Sequence, residues 1–200
     1  MIIDVSHHTT PVGPMTAVAH AGRLALLEFS AHDRAPVARS APGRPPVPSK
    51  TWKRMGFVPP APAIGEERIE RWLGEHFAGY VRQEGDPLGM HRRLDAYFQQ
   101  RDFAAFDDLE IAFAGPPFHC EVWRELCHIP AGATRSYGEL AKRLGKPSAA
   151  RAVGYANSQN PVAIVVPCHR VIGSNGTLTG YAGGLERKHW LLVHEGAILI

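Results

Sequence analysis

The chain is poor in cysteine, has no C-x-x-C pair, lacks any long apolar run and carries no strong charge of one sign. Each shortage excludes something. With only Cys120, Cys127 and Cys168 present, neither a zinc ribbon nor a thioredoxin-type redox pair can be built. Cys120 and Cys127 fall two turns apart in a stretch that reads as helix, so their Cα atoms are roughly 10 Å apart and out of disulfide reach. Without a run of about eighteen apolar residues there is no candidate transmembrane helix. The opening MIIDVSHHTTPVGP has neither a basic start nor an apolar stretch of signal-peptide length, so the expectation is a soluble, cytoplasmic protein. A net charge of +3 permits an acidic partner such as nucleic acid without requiring one.

What is present divides the 200 residues unevenly. Residues 14–30, PMTAVAHAGRLALLEFS, alternate around an Ala-Gly step and predict a β-hairpin. Residues 31–63 lose all periodicity and hold eight prolines, Pro36 to Pro62, which reads as a long loop or insertion in which helix is forbidden. Helical spacing returns over 65–82 and 88–100, and LEIAF at 109–113 has the composition of a returning strand. A Gly115-Pro116-Pro117 break places the domain boundary, giving an N-terminal α+β domain over 1–114 and a mostly helical domain over 115–200. Pro117 suits the first position of a helix through Cys127, with Phe118, Val122 and Leu126 on one face.

The clearest local signal is RSYGELAKRLGKPSAARAVGYANSQN, residues 135–160. Ser136 and Glu139 form an S-x-x-E capping box, and Tyr137, Leu140, Ala141 and Leu144 follow at helical spacing. Gly145 and Pro147 end that helix, and Ser148 is placed to cap a second from Ala149, so the pair predicts a helix-turn-helix. The second helix is rich in small residues, among them Ala149, Ala150 and Gly154, which allow close approach of a neighbouring helix or a groove floor. Arg135, Lys142, Arg143, Lys146 and Arg151 surround it with a basic rim suited to phosphate, although the same geometry occurs in proteins that never touch DNA. Arg151 sits in the first turn, where the helix dipole disfavours a cation. Such a charge suggests a partner, while a solvated surface arginine is the plainer alternative.

The reactive candidate follows. Asn160-Pro161 marks a turn, Val162–Val166 is apolar, and Pro167-Cys168-His169-Arg170 emerges from it into VIGSNGTLTGYAGG, a glycine-rich loop carrying Tyr181. A histidine and an arginine beside a thiol are expected to lower its pKa and to supply a base. The loop can wall a pocket with backbone groups and the Tyr181 ring. LERKHWLLVHEG then predicts a final helix stopped by Gly196. Glu195 opposes the dipole of that helix, which makes sense if it meets a histidine, completing a nucleophile–base–orienter set of Cys168, His169 and Glu195; a plain solvated end residue is the alternative.

PCHRVIG, TGYAGGL and WLLVHEG, with IPAGATRSYGELA, AARAVG and the Asn-Pro before the apolar run, resemble the methylated-DNA–protein-cysteine methyltransferase (O6-alkylguanine-DNA alkyltransferase) family over residues 118–196. TPVGPM and its hairpin resemble the start of that family's N-terminal β domain. The resemblance implies direct repair of double-stranded DNA. The alkyl group of O6-alkylguanine, and of O4-alkylthymine, would pass irreversibly to Cys168 of a monomer that needs no cofactor. It further implies that the helix-turn-helix enters the minor groove, that Arg151 fills the gap left by a flipped nucleotide, and that Ala149 and Ala150 allow the close approach. Tyr137 would press on the phosphate and protonate the departing guanine, and Asn160 would brace the turn. Backbone carbonyls near Cys168 and Val171 would accept the guanine amino group, with Tyr181, Ala182 and Gly183 lining the pocket. Two departures stand out. Ala182 replaces a serine found in some members, and no cysteine precedes Cys120 to hold the zinc of others, so no metal is expected. The rival readings are a damage-binding relative without transfer, which would lack the nucleophile, a cysteine hydrolase, and a DNA-binding regulator with no chemistry.

Overall fold

A computed structural model describes residues 1–30 and 65–198. The proline-rich stretch at 31–63 lies outside the described residues. The fold is α+β. β1 (Ile2–Thr10), β2 (Gly13–His20) and β3 (Arg23–Phe29) form an antiparallel meander, and β4 (Val81–Glu84) joins β1 in parallel, giving the order β3-β2-β1-β4. The predicted hairpin is therefore the β2–β3 pair, turned by Ala21 and Gly22, both with positive φ. β1 went unpredicted because its SHHTT end carries little apolar alternation.

α1 (Glu66–His76) is shorter than the 65–82 helix expected from periodicity. Gly79 takes φ +64°, and Val81 pairs with Ile2, so sheet formation claims the tail of that segment. The second expected helix is α2 (Met90–Asp95), continued by one wide π turn, Ala96–Gln100. α3 (Pro117–Leu126) starts at the predicted proline. α4 (Tyr137–Arg143) and α5 (Ala150–Ser158) are the helix pair, and α6 (Leu185–His194) is the last helix. Ser148 makes no cap; instead Ala149 N–H bonds Lys146 O at 2.8 Å, so a tight turn leads into α5. Gly196, at φ +79°, closes α6 as expected.

The sheet is buried on both faces. One face carries Ile3, Val5, Val18 and Leu26 against Ile69, Leu73 and Phe77 of and just after α1. The other carries Met15, Ala17, Leu27 and Phe29 into a larger core with Trp123, Leu126, Leu140, Val153, Val166 and Leu191. A bulge pairs Val18 with Leu26 and Ala19 with Leu24, skipping Ala25. The skipped residue puts Leu24 and Leu27 into the same core, against strict alternation.

The outer edge of β3 is where the fold meets the segment that carries Cys168. Leu24 exchanges backbone bonds with Glu110 and Ala112, which makes the expected 109–113 strand a single bridge at Ile111. Leu27 N–H bonds Pro161 O at 3.0 Å and Ala163 N–H bonds Leu27 O at 2.7 Å. The run leading to Cys168 thus docks on the sheet like an added strand.

Candidate active site

After Ala163 the chain turns sharply, with Ile164 at φ +70°, a strained value for a β-branched residue. Asn160 holds this turn from inside. Its Nδ2 donates to Val166 O at 2.8 Å and to Cys168 Sγ at 3.0 Å, and its Oδ1 accepts from Val162 N–H at 3.0 Å. Asn157 reaches Cys168 O at 3.4 Å from α5. Cys168 opens a short 3-10 turn, Cys168–Arg170, and is buried.

Burial, the largest influence, pushes the Cys168 thiol up to about 11; Asn160 pulls the other way and Glu28 adds to the rise. This reverses the expectation that His169 and Arg170 would lower it. The arginine is engaged elsewhere: Arg170 Nε and Nη2 donate to Glu195 Oε2 and Oε1 at 2.9 and 2.8 Å, and Nη1 donates to Ile129 O at 2.5 Å. At rest Cys168 is a thiol in an apolar setting.

His169 Nε2 lies 2.9 Å from Glu195 Oε1, as the misplaced carboxylate at the end of α6 suggested. Burial would raise the Glu195 carboxyl, but His169 and the Arg170 fork outweigh it and hold it well below the ordinary range. An ionised carboxylate only accepts, so His169 Nε2 carries its hydrogen and Nδ1 offers the lone pair. Nδ1 has no hydrogen-bond partner among the described residues. Burial keeps the imidazole pKa below its usual value despite the pull of Glu195, so the ring stands as a neutral base. Tyr97 completes the set by donating to Glu195 Oε1 at 2.6 Å.

A two-stranded parallel ladder, β5 (Arg135–Ser136) with β6 (Val171–Ile172), joins the helix pair to the segment after Cys168. The ladder brings Tyr137 to the site. Its ring lies against Gly154 of α5, its hydroxyl donates to Thr179 O at 3.3 Å, and burial raises its phenol so that it keeps its proton. Tyr181 is buried with its phenol also pushed well up, first by burial and then by Cys168 nearby. A Cβ on Gly183 would sit 2.7 Å from both Phe29 and Tyr181, so only glycine fits there. Ala182, by contrast, is exposed. Ala149 and Ala150 are half-buried at the start of α5. Arg151 is exposed with no ion pair among the described residues, and the Arg135 guanidinium donates to its neighbour Thr134 O.

Sequence reasoning missed Tyr97, Asn157, Glu28 and Lys188, and expected Arg170 to act on the thiol, whereas it pairs with Glu195. Lys188 is fully buried, with Nζ donating to Val171 O and Thr179 O, both at 2.6 Å, across the glycine-rich loop. Its signal was available: Lys188 stands three residues from both Leu185 and Leu191, on the apolar face of α6. Among the described residues no helix is long and apolar enough to cross a membrane.

Residues 117–197 match the family model of the 6-O-methylguanine DNA methyltransferase DNA-binding domain. A methylated-DNA–protein-cysteine methyltransferase of Salmonella typhimurium is 53% identical over 137 residues, covering 67% of this chain and 80% of that protein. The crystal structure of Mycobacterium tuberculosis O6-methylguanine methyltransferase is similar at TM-score 0.66 and 33% identity, over 98% of this chain and 93% of that one. The OGT of the same organism in complex with DNA gives 0.65 and 33%, over 98% and 94%.

Proposed function

Because the chain belongs to the methylated-DNA–protein-cysteine methyltransferase family, we propose that Cys168 is the alkyl acceptor in direct DNA repair. The protein is a methylated-DNA–[protein]-cysteine S-methyltransferase, and its partner is DNA. The observation that carries the residue assignment is the hydrogen-bonded series Asn160–Cys168 and His169–Glu195, buried behind the helix pair.

A guanine stacked in a duplex cannot bring its O6 substituent to a buried thiol, so the nucleotide must leave the stack. α5 enters the minor groove, Ala149 and Ala150 permit close approach, and Arg151 takes the vacated place. Arg135 lies on the basic rim. Backbone carbonyls near Cys168 and Val171, the latter oriented by Lys188, receive the guanine amino group beside Tyr181 and Gly183. The thiol proton passes to His169 Nδ1, directly or through a water, and Glu195 stabilises the imidazolium that forms. Sγ then attacks the alkyl carbon. The S–C bond forms, the C–O6 bond breaks, and Tyr137 protonates the departing guanine. With its pKa raised by burial, Cys168 rests as a thiol and gives up its proton as the transfer begins.

A thioether does not revert, so each molecule acts once. Every group in the scheme comes from one chain, which fits action as a monomer. A cytoplasmic location, where thiols stay reduced, is part of the same reading. Mixing the protein with a duplex containing O6-methylguanine should add one methyl to the peptide bearing Cys168, saturating at one per protein by mass spectrometry. Tight binding without uptake would leave a damage-recognition protein. Many duplexes losing their methyl per chain, with none retained on the peptide, would instead indicate a hydrolase.

A further inference from the structure

Four large apolar side chains are widely exposed among the described residues. Met1, Ile2 and Val81 lie together where β1 pairs with β4; Tyr155, 62% exposed, stands apart on α5. Val153, Ala156 and Asn157 form the buried face of that helix. Arg151, Tyr155 and Gln159, spaced by four, form the exposed stripe opposite. Tyr155 is therefore one turn beyond Arg151 on the same face.

With roughly 100° per residue, Gly154 falls about 60° to one side of Arg151 and Tyr155 about 40° to the other. The Gly154 flank belongs to Tyr137, whose ring is 3.5 Å from where a Cβ would stand. The Tyr155 flank belongs to α3: its ring meets His119 edge-on at 5.6 Å, and His119 in turn packs at 5.7 Å from Trp123. A helix lying in a groove has one sugar-phosphate backbone on either side. If Tyr137 faces the strand that gives up its nucleotide, Tyr155 faces the other.

We propose that Tyr155, supported by His119, is a further DNA contact, placed against the sugar-phosphate backbone of the undamaged strand. The inference rests on the repair reading above, since it uses the same groove and the same helix. The ring offers a flat apolar face to a deoxyribose, and its hydroxyl, on a widely exposed side chain, is placed to donate to a phosphate. Such a contact positions the duplex without reading its sequence.

The test is hydroxyl-radical footprinting of each strand of a short O6-methylguanine duplex that holds one copy of the protein, with affinity measured alongside. Tyr155→Ala is expected to lose protection on the undamaged strand alone and to weaken binding about fivefold, the worth of one modest hydrogen bond. His119→Ala should weaken the same protection without abolishing it. Unchanged footprints overturn the proposal, as does equal loss on both strands, which would mark a structural role. Loss confined to longer duplexes carrying two copies would assign the face to a neighbouring protein and overturn it too. Wild-type protein that neither takes up methyl nor protects either strand overturns the repair reading itself, whereas wild-type uptake with an unaltered variant footprint sinks only this contact.

Discussion

Replacing Asn160 by alanine removes the donor to Cys168 Sγ and Val166 O and the acceptor for Val162 N–H, all inside the fold. Leaving those groups unpaired should cost about 3 kcal/mol in urea denaturation. The misplaced sulfur should slow single-turnover transfer at least about tenfold. Glu28 offers a pH test. Burial raises its carboxyl from 4.5 to about 7, against the partial relief of Arg68. Its raised pKa favours folding fully below pH 4.5 and loses that contribution as pH climbs to about 7. Glu28→Gln should therefore flatten the fall in stability across this window and leave the protein more stable at pH 8 by up to about 3 kcal/mol. Denaturation at a series of pH values reads this directly. At this scale the His169–Glu195 pairing was legible because a misplaced carboxylate is a local signal, as is the PCHR motif that marks Cys168 as the candidate beside it. The other partners of Glu195 were not. Tyr97 lies 98 residues away in sequence, and Arg170, adjacent to His169, has a direction that only the fold determines.

Among elements, α4 was read most faithfully. Ser136 Oγ accepts from Glu139 N–H, and the Glu139 carboxylate accepts from Ser136 N–H at 2.7 Å, the reciprocal pair its spacing predicted. Ser136→Ala should cost about 1 kcal/mol of stability. Because Ser136 also pairs with Ile172, fraying there should weaken binding to the O6-methylguanine duplex as well, measurable by fluorescence anisotropy. Where long-range pairing competes with local pattern, the reading failed. The tail of the 65–82 segment became β4 because β1 was there to pair with it, and the strand at 109–113 shrank to one bridge because, among the described residues, its backbone pairs with the sheet at Leu24 alone. Ser148 was a sound cap by composition, but the turn from Lys146 to Ala149 leaves it no role at the helix start.

For the whole molecule, the larger core matters most, since Met15, Leu27 and Phe29 of the sheet pack with Trp123, Val153 and Leu191 of the helices. A core shared this way should melt in one calorimetric transition, with calorimetric and van't Hoff enthalpies equal. Two separated transitions would contradict it. The α+β class was legible from the hairpin and the helical spacing. That the cysteine-bearing segment rides on the edge of the N-terminal sheet was not, because apolar runs do not announce which strand they will join.

That docking has a consequence for solubility. An open sheet edge is a template on which a second chain can pair. β4 guards one edge by being short and carrying Arg82 and Glu84, and β3 guards the other by giving Leu24 to residues 110–112 and Leu27 to residues 161–163. The stretch that carries Cys168, the alkyl acceptor proposed above, is thus also a plug. Any change that pulls it from Leu27 costs the protein its aim and its protection from self-association together, so inactive variants of this turn and aggregating ones should be the same variants.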